Sequence, residues 1–437
     1  MKLINWREIW KYELIQLQEQ GKDTAGLLPE SVISAMTEDE LERACRELYA
    51  RIDELETVSG CRFVEPSHWP EIMRESGTNH IPSTEGDTLP FGELFDRIYG
   101  AWLGRAAGCL LGKPVEGWPR ELIRDLLERH HSYPLNHYFT IRHTPQVEEQ
   151  WMLEEYERNA IEYCKAMPRD DDMDYTILAL KTVETHGTDF DTSNVAEMWL
   201  MYLPPYMTYT AERAAYLNLC AGVSIPRTAV HLNPYREWIG AQIRTDLYGY
   251  INPGNPARAA EMAYRDAALS HTGNGIYGAM FAAAMIAASF TESDIEAVIR
   301  AGLAQIPVRS RLFEAISWVI DESRRESDWE SAGDRLLERY GHYHRTHVIN
   351  NAAIVILALL YGEGDLEKTI SIAVMMGLDT DCNAATAGSV IGVLNGAVRL
   401  PDKWIAPLHD QIESYLAGEE SPRISQLALR TVRLITQ

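Results

Sequence analysis

The chain has 437 residues, 46% apolar and 24% charged, ordinary values for a globular protein with a large core, so disorder is excluded for its bulk. At roughly 150 residues per domain, this length allows two or three domains. Acids outnumber Lys plus Arg by 64 to 40, a net charge of −24 that repels a phosphate backbone and argues against nucleic acid as a partner; the excess reads as a solvated surface, with a share concentrated in a site for cations.

Residues 1–85 read as an accessory helical region. Ile9, Trp10, Leu14 and Leu17 recur at helical spacing, and a charged helix is expected from Glu38 to Glu56. The first twenty residues carry charges and amides where a signal peptide needs a continuous apolar core, and the six cysteines contain no CxxC pair. Both features fit a protein with free thiols in the cytoplasm. A loop rich in turn formers, residues 76–92, marks the one internal boundary, with a second domain expected over 86–437.

From Phe91 to about Leu400 the pattern is helical almost throughout, and only short runs such as residues 229–232 could be strands; the fold class is therefore all-α. The most apolar stretch, Gly278 to Phe290, is too short for the roughly 20 residues that span a bilayer and reads as a buried core helix, so no membrane is expected. Two segments carry glycine at every fourth position: Gly100, Gly104, Gly108 and Gly112, then Gly388, Gly392 and Gly396. Each costs about 1 kcal/mol relative to alanine inside a helix, so a stripe of them implies a close helix crossing that compensates.

Chemistry is concentrated at the ends of these helices. Pro114 and Gly117 stop the first glycine-rich helix and present Glu116 in a loop. Asp170, Asp171 and Asp172 then open a helix; capping would need only one acid, and three adjacent carboxylates invite a divalent cation. Asp379 and Asp381, two residues apart, precede the second glycine-rich helix and can converge on one ion. If packing joins the two helix starts, four or five carboxylates meet and a two-metal hydrolytic centre follows. Between the clusters lies the loop His271, Thr272, Gly273, Asn274, Gly275, either a sugar or phosphate cradle or a satisfied buried turn, and Arg244 is suited to an anionic ligand. His347, Asn350 and Asn351 read as bracing groups. No GxSxG, Walker loop or HExxH occurs, which removes serine acyl transfer and P-loop chemistry.

Taken together, the segment from Asp96-Arg97-Ile98-Tyr99-Gly100 through Gly112-Lys113-Pro114-Val115-Glu116, the run Asp170 to Thr176, and the closing Gly377-Leu378-Asp379-Thr380-Asp381-Cys382 resemble the ADP-ribosylglycohydrolase family, of the dinitrogenase-reductase-activating glycohydrolase type, over about residues 93–402. The resemblance implies an orthogonal multi-helix fold with a dinuclear centre of Mg2+ or Mn2+. It implies metal ligation by Asp170, Asp171, Asp172, Asp379, Asp381 and Cys382, catalysis by Glu116, Asp171 and Asp172, and substrate binding by His271, with Gly273, Asn274 and Arg244 completing the cleft. Asp170 and Cys382 each stand where the family has threonine, and Cys109 where it has aspartate; a thiol is a softer and poorer magnesium ligand than a hydroxyl. The implied activity is hydrolysis of an N- or O-ribosidic bond, in an ADP-ribosylated protein or an ADP-ribose-like or nucleoside-like small molecule. Two other readings stay open: a metal-dependent phosphohydrolase, and a ligand-binding protein with a degenerate site, for which Cys109 and Cys382 speak.

Overall fold

A computed structural model describes residues 4–76 and 89–436. The expected boundary near residue 85 lies outside the described residues. Among these residues no strand forms and β-type pairing is confined to isolated bridges; of the run 229–232 offered as a strand, Ala229 ends a 3-10 turn over Arg227–Ala229 and the rest is turn. No described helix is long and apolar enough to cross a membrane.

The helices used below are α1 (Trp6–Glu19), α2 (Glu38–Ala50), α3 (Phe91–Gly112), α4 (Asp171–His186), α5 (Thr210–Cys220), α6 (Gly273–Ala288), α7 (Val348–Gly362) and α8 (Thr380–Asn395). Helix α6 is buried along its whole length, as its unbroken apolar and small-residue run requires. It packs against α7.

The glycine stripes of α3 and α8 face each other. A Cβ on Gly104 would lie 2.1 Å from the Gly388 carbonyl oxygen, and one on Gly100 2.4 Å from that of Gly392. Only hydrogen fits, so the two backbones touch, and the contact offsets the entropy that each glycine costs. Gly396 departs from the expected stripe: it follows α8, at φ +70°, and terminates it. The crossing also sets what happens at the ends. Thr380 Oγ1 donates to the Gly112 carbonyl at 2.8 Å, tying the C-terminus of α3 to the N-terminus of α8.

The N-terminal region has its own apolar cluster, built from Trp6, Ile9, Trp10 and Leu17 of α1 against Leu41, Cys45, Leu48 and Tyr49 of α2. Helix α2 begins in a Thr37–Glu40 capping box and stops at Ala50, short of the expected Glu56, because Ile52–Glu54 tighten into a 3-10 turn. On α1, Leu14 is only half-buried, while Glu13 and Gln16 are buried. Their partners explain it: Arg236 donates to Glu13 at 2.8 Å and Gln16 donates to Glu237 at 2.6 Å. Thus α1 docks on the rest of the chain through a buried polar network as well as apolar contact.

Candidate active site

Three chain segments meet where α3 ends and α4 and α8 begin. Asp170 caps α4, its Oδ1 accepting the Asp172 N–H at 2.9 Å. Asp379 occupies the N-cap position of α8, without a side-chain capping hydrogen bond, after a turn in which Gly377 has φ +75° and Leu378 φ +65°. Gly377 is required there, since a Cβ would lie 2.7 Å from the Trp118 carbonyl oxygen. The donor atoms of Cys109, Asp170, Asp172 and Asp381 all lie within 4.8 Å of one another, and so do those of Asp379, Asp381 and Cys382. Asp381 belongs to both groups. All six residues are buried, and Asp381 Oδ1 has no hydrogen-bond partner.

Fixed cations compensate part of this charge. Lys113 pairs with Asp170, and Arg105, itself fully buried, donates to Asp172 at 2.9 Å and to Asp246 at 2.7 Å. Burial opposes ionisation of Asp170, yet Lys113 and the Asp172 N–H hold its carboxyl below the usual range. The others go the opposite way. Burial, reinforced by neighbouring carboxylates, pushes Asp171, Asp172 and Asp381 well up, against the pull of Arg169 on Asp171 and of Arg105 on Asp172. Asp379 is raised to about 6 by burial. Glu116 is exposed on the cavity wall; the desolvating protein crowded around it and then the Asp379 charge push its carboxyl up to about 7, with Lys113 pulling against them. Carboxylates raised this way are a site short of positive charge. The unpaired, buried Asp381 oxygen at the junction of two donor groups fits a divalent cation, and the clustered acids can hold one.

Over this floor opens a cavity of about 670 Å³. Glu116, Asp170, Asp171, Asp379, Asp381 and Cys382 all line it; Asp172 and Cys109 lie beneath, outside the wall. Its outer wall carries Arg158, Lys165, Arg169 and Arg345 together with Tyr163, Tyr209 and Tyr415. Arg169 donates to Asp174 at 2.8 Å and lies against the Tyr415 and Tyr209 rings, 5.1 and 5.8 Å from their centroids. Trp238 and His344 stack 4.0 Å apart on another side.

The four residues expected to hold substrate occupy a different place. Arg244, His271, Gly273 and Asn274 do not line the cavity. Arg244 is buried between Glu212, at 2.6 Å, and Asp266, at 2.5 Å. His271, kept neutral by burial and by Arg244, shares a hydrogen bond with Ser270 at 2.8 Å and sits 3.8 Å from Glu212. Asn274 donates to Glu237 at 2.9 Å and accepts from the Leu312 N–H at 3.0 Å, and the Gly273 N–H donates to Ser67. They brace Glu212 of α5, which does reach the cavity, and Glu237 behind it.

Sequence reasoning missed Arg105, Glu212 and the tyrosine and basic wall, and gave Lys113 no role. Arg105 carried a signal: it is the one charged residue between Tyr99 and Gly112, inside a helix of glycine and apolar residues. Glu212 carried none.

Residues 92–436 match the family model described as ADP-ribosylglycohydrolase. A solved structure described as "ADP-ribosylglycohydrolase-related protein complex" is 19% identical, with a TM-score of 0.50, covering 79% of this chain and 99% of that one, a likeness of fold. No curated protein matches the chain.

Proposed function

This chain belongs to the ADP-ribosylglycohydrolase family, and on that premise we propose that it hydrolyses the N- or O-ribosidic bond of an ADP-ribose-linked substrate, protein-bound or small, at a centre of two divalent cations. The observation that carries the reading is the opening of Glu116 and Asp171 onto the same cavity as Asp379 and Asp381. Bound cations would supply positive charge that orients ribose hydroxyls and favours proton loss from water.

The chain's own groups do the rest. Glu116, with a carboxyl raised to about 7, can take a proton from the attacking water and hand it on near neutral pH. Asp171 faces the cavity and, once bound cations offset the burial and neighbouring carboxylates that raise its carboxyl, would be ionised and able to stabilise positive charge building on the anomeric carbon. Asp172 lies too deep for that part and serves as a ligand held in place by Arg105. On the outer wall the guanidinium and ammonium groups complement phosphates, and the tyrosine rings offer π-faces to a base. Arg244 and His271 act as positioning residues for Glu212, and the N-terminal region as a brace on Arg236 and Glu237.

The test is a metal-supplemented assay of ADP-ribosylated protein, ADP-ribose derivatives and nucleosides, with released fragments identified by mass. A ribose-containing fragment and its free partner support the proposal; inorganic phosphate alone rejects it.

A further inference from the structure

We propose that Tyr12, on α1 and outside residues 92–436 that match the family, is a positioning residue for substrate: it holds the stacked Trp238 and His344 rings in place as one wall of the active cavity. This rests on the reading of that cavity as the substrate site. The indole and imidazole lie 4.0 Å apart and within 12° of parallel, and both line the cavity. Both also line a second cleft of about 210 Å³, whose other walls include Tyr12, Gln16 and Glu19 of α1. The ring pair is therefore a partition between two spaces. An unsupported partition has room to tip into the cleft, and the substrate would lose the surface it packs against.

Tyr12 supplies the support. Its ring meets Trp238 at 5.3 Å and 85° and His344 at 5.4 Å and 83°, the edge-to-face arrangement in which aromatic rings attract. Tyr235 packs on Tyr12 at 5.7 Å and on Trp238 at 4.8 Å and completes the group. The His344 imidazole is neutral, since burial, then Arg345 and Lys11, bring its pKa down to about 4. This wall is thus uncharged, unlike the basic outer wall, and suits an apolar or ring-bearing part of the substrate. The backbone that carries the pair is anchored without α1. The Ile239 N–H donates to the Thr346 carbonyl at 2.9 Å, Asn350 to that of His344 at 3.0 Å, and Asn351 to that of Arg345 at 2.8 Å. Loss of Tyr12 consequently frees the two rings yet keeps in place the loop bearing Arg345, whose charge acts on Glu116. Binding suffers and proton transfer does not.

The experiment titrates the full-length, metal-supplemented protein and its variants with ADP-ribose in a calorimeter and follows steady-state kinetics on the substrate that the unaltered protein turns over. Tyr12→Ala should weaken ADP-ribose binding and raise KM by about tenfold with kcat within about twofold. Tyr12→Leu, which keeps apolar bulk on α1 but no ring, should show the same loss, so the result does not hang on one variant folding. Tyr12→Phe should match the unaltered protein, because the Tyr12 hydroxyl lies 3.5 Å from His344 Nε2, at the limit of a hydrogen bond, and the ring contacts remain. Leu17→Ala loosens the same helix through its apolar cluster, at a residue that lines neither space, and should leave KM alone. Unchanged affinity in Tyr12→Ala, or an equal rise of KM in Leu17→Ala, overturns the proposal. Release of inorganic phosphate alone by the unaltered protein removes the proposed function, while a KM rise confined to Tyr12→Ala and Tyr12→Leu still upholds the wall; no ADP-ribose binding by the unaltered protein overturns both.

Discussion

Gly108 presses so closely on Ala384 that a Cβ on the glycine would lie 2.0 Å from the Ala384 carbonyl oxygen. This contact fixes the register of α3 against α8, and one turn further on it delivers Gly112 to the backbone of Thr380 and Asp381. Gly108→Ala is therefore expected to force the helices apart, costing about 1–3 kcal/mol or more in denaturant unfolding and weakening divalent-cation binding. Gly92→Ala is the control. Nothing lies within 4 Å of its Cβ, so this change should leave cation binding alone and be neutral or stabilising by up to about 1 kcal/mol.

The glycine stripes, the helix-opening acids and the fold class were legible because each rests on local pattern. Periodicity puts Gly100, Gly104 and Gly108 on one face of a helix and announces a close crossing, though only the packed structure shows that Gly388 is the partner of Gly104, and acids at a helix start announce Asp170–Asp172 and Asp379–Asp381. What escaped depends on partners far apart in the chain. Arg244 and His271 look like ligand-binding groups in a polar loop, and only the packed structure shows Glu212 and Asp266 using up the guanidinium. Likewise α1 looked purely apolar on its inner face, since nothing near Glu13 in sequence announces Arg236.

Arg244→Met tests the bracing role. Removing one partner of a buried ion pair leaves Glu212 and Asp266 uncompensated, and a loss of about 3–5 kcal/mol is expected, read by chemical denaturation. A variant of unchanged stability with a raised KM would instead put Arg244 on the substrate.

Glu116→Gln keeps the size of the side chain and removes its ability to accept a proton. Turnover should fall by about 10²–10⁴-fold while thermal stability and divalent-cation binding are retained. Full activity in this variant would move the proton-transfer role elsewhere.

Glu19, at the end of α1, is raised to about 7 by burial and by the Glu237 charge, against Arg311, and its carboxylate lies 3.5 Å from His347. A carboxyl raised from 4.5 to about 7 on folding contributes stability that is fully present below pH 4.5 and is lost as the pH rises through 7. Glu19→Gln should consequently stabilise the protein at about pH 8 by up to about 3 kcal/mol and leave it unchanged at about pH 4. Urea titrations at the two pH values check this, and equal effects at both would contradict it.

The central claim is that glycosidic cleavage occurs at the cation centre joined by Asp381. Its most direct measurement compares metal-supplemented wild type with Asp381→Ala on an ADP-ribosylated substrate, following the released ribosyl fragment by mass. The account predicts release by the wild type, and a loss of orders of magnitude together with loss of bound divalent cation in the variant, because Asp381 belongs to both donor groups. Undiminished release by Asp381→Ala would contradict it.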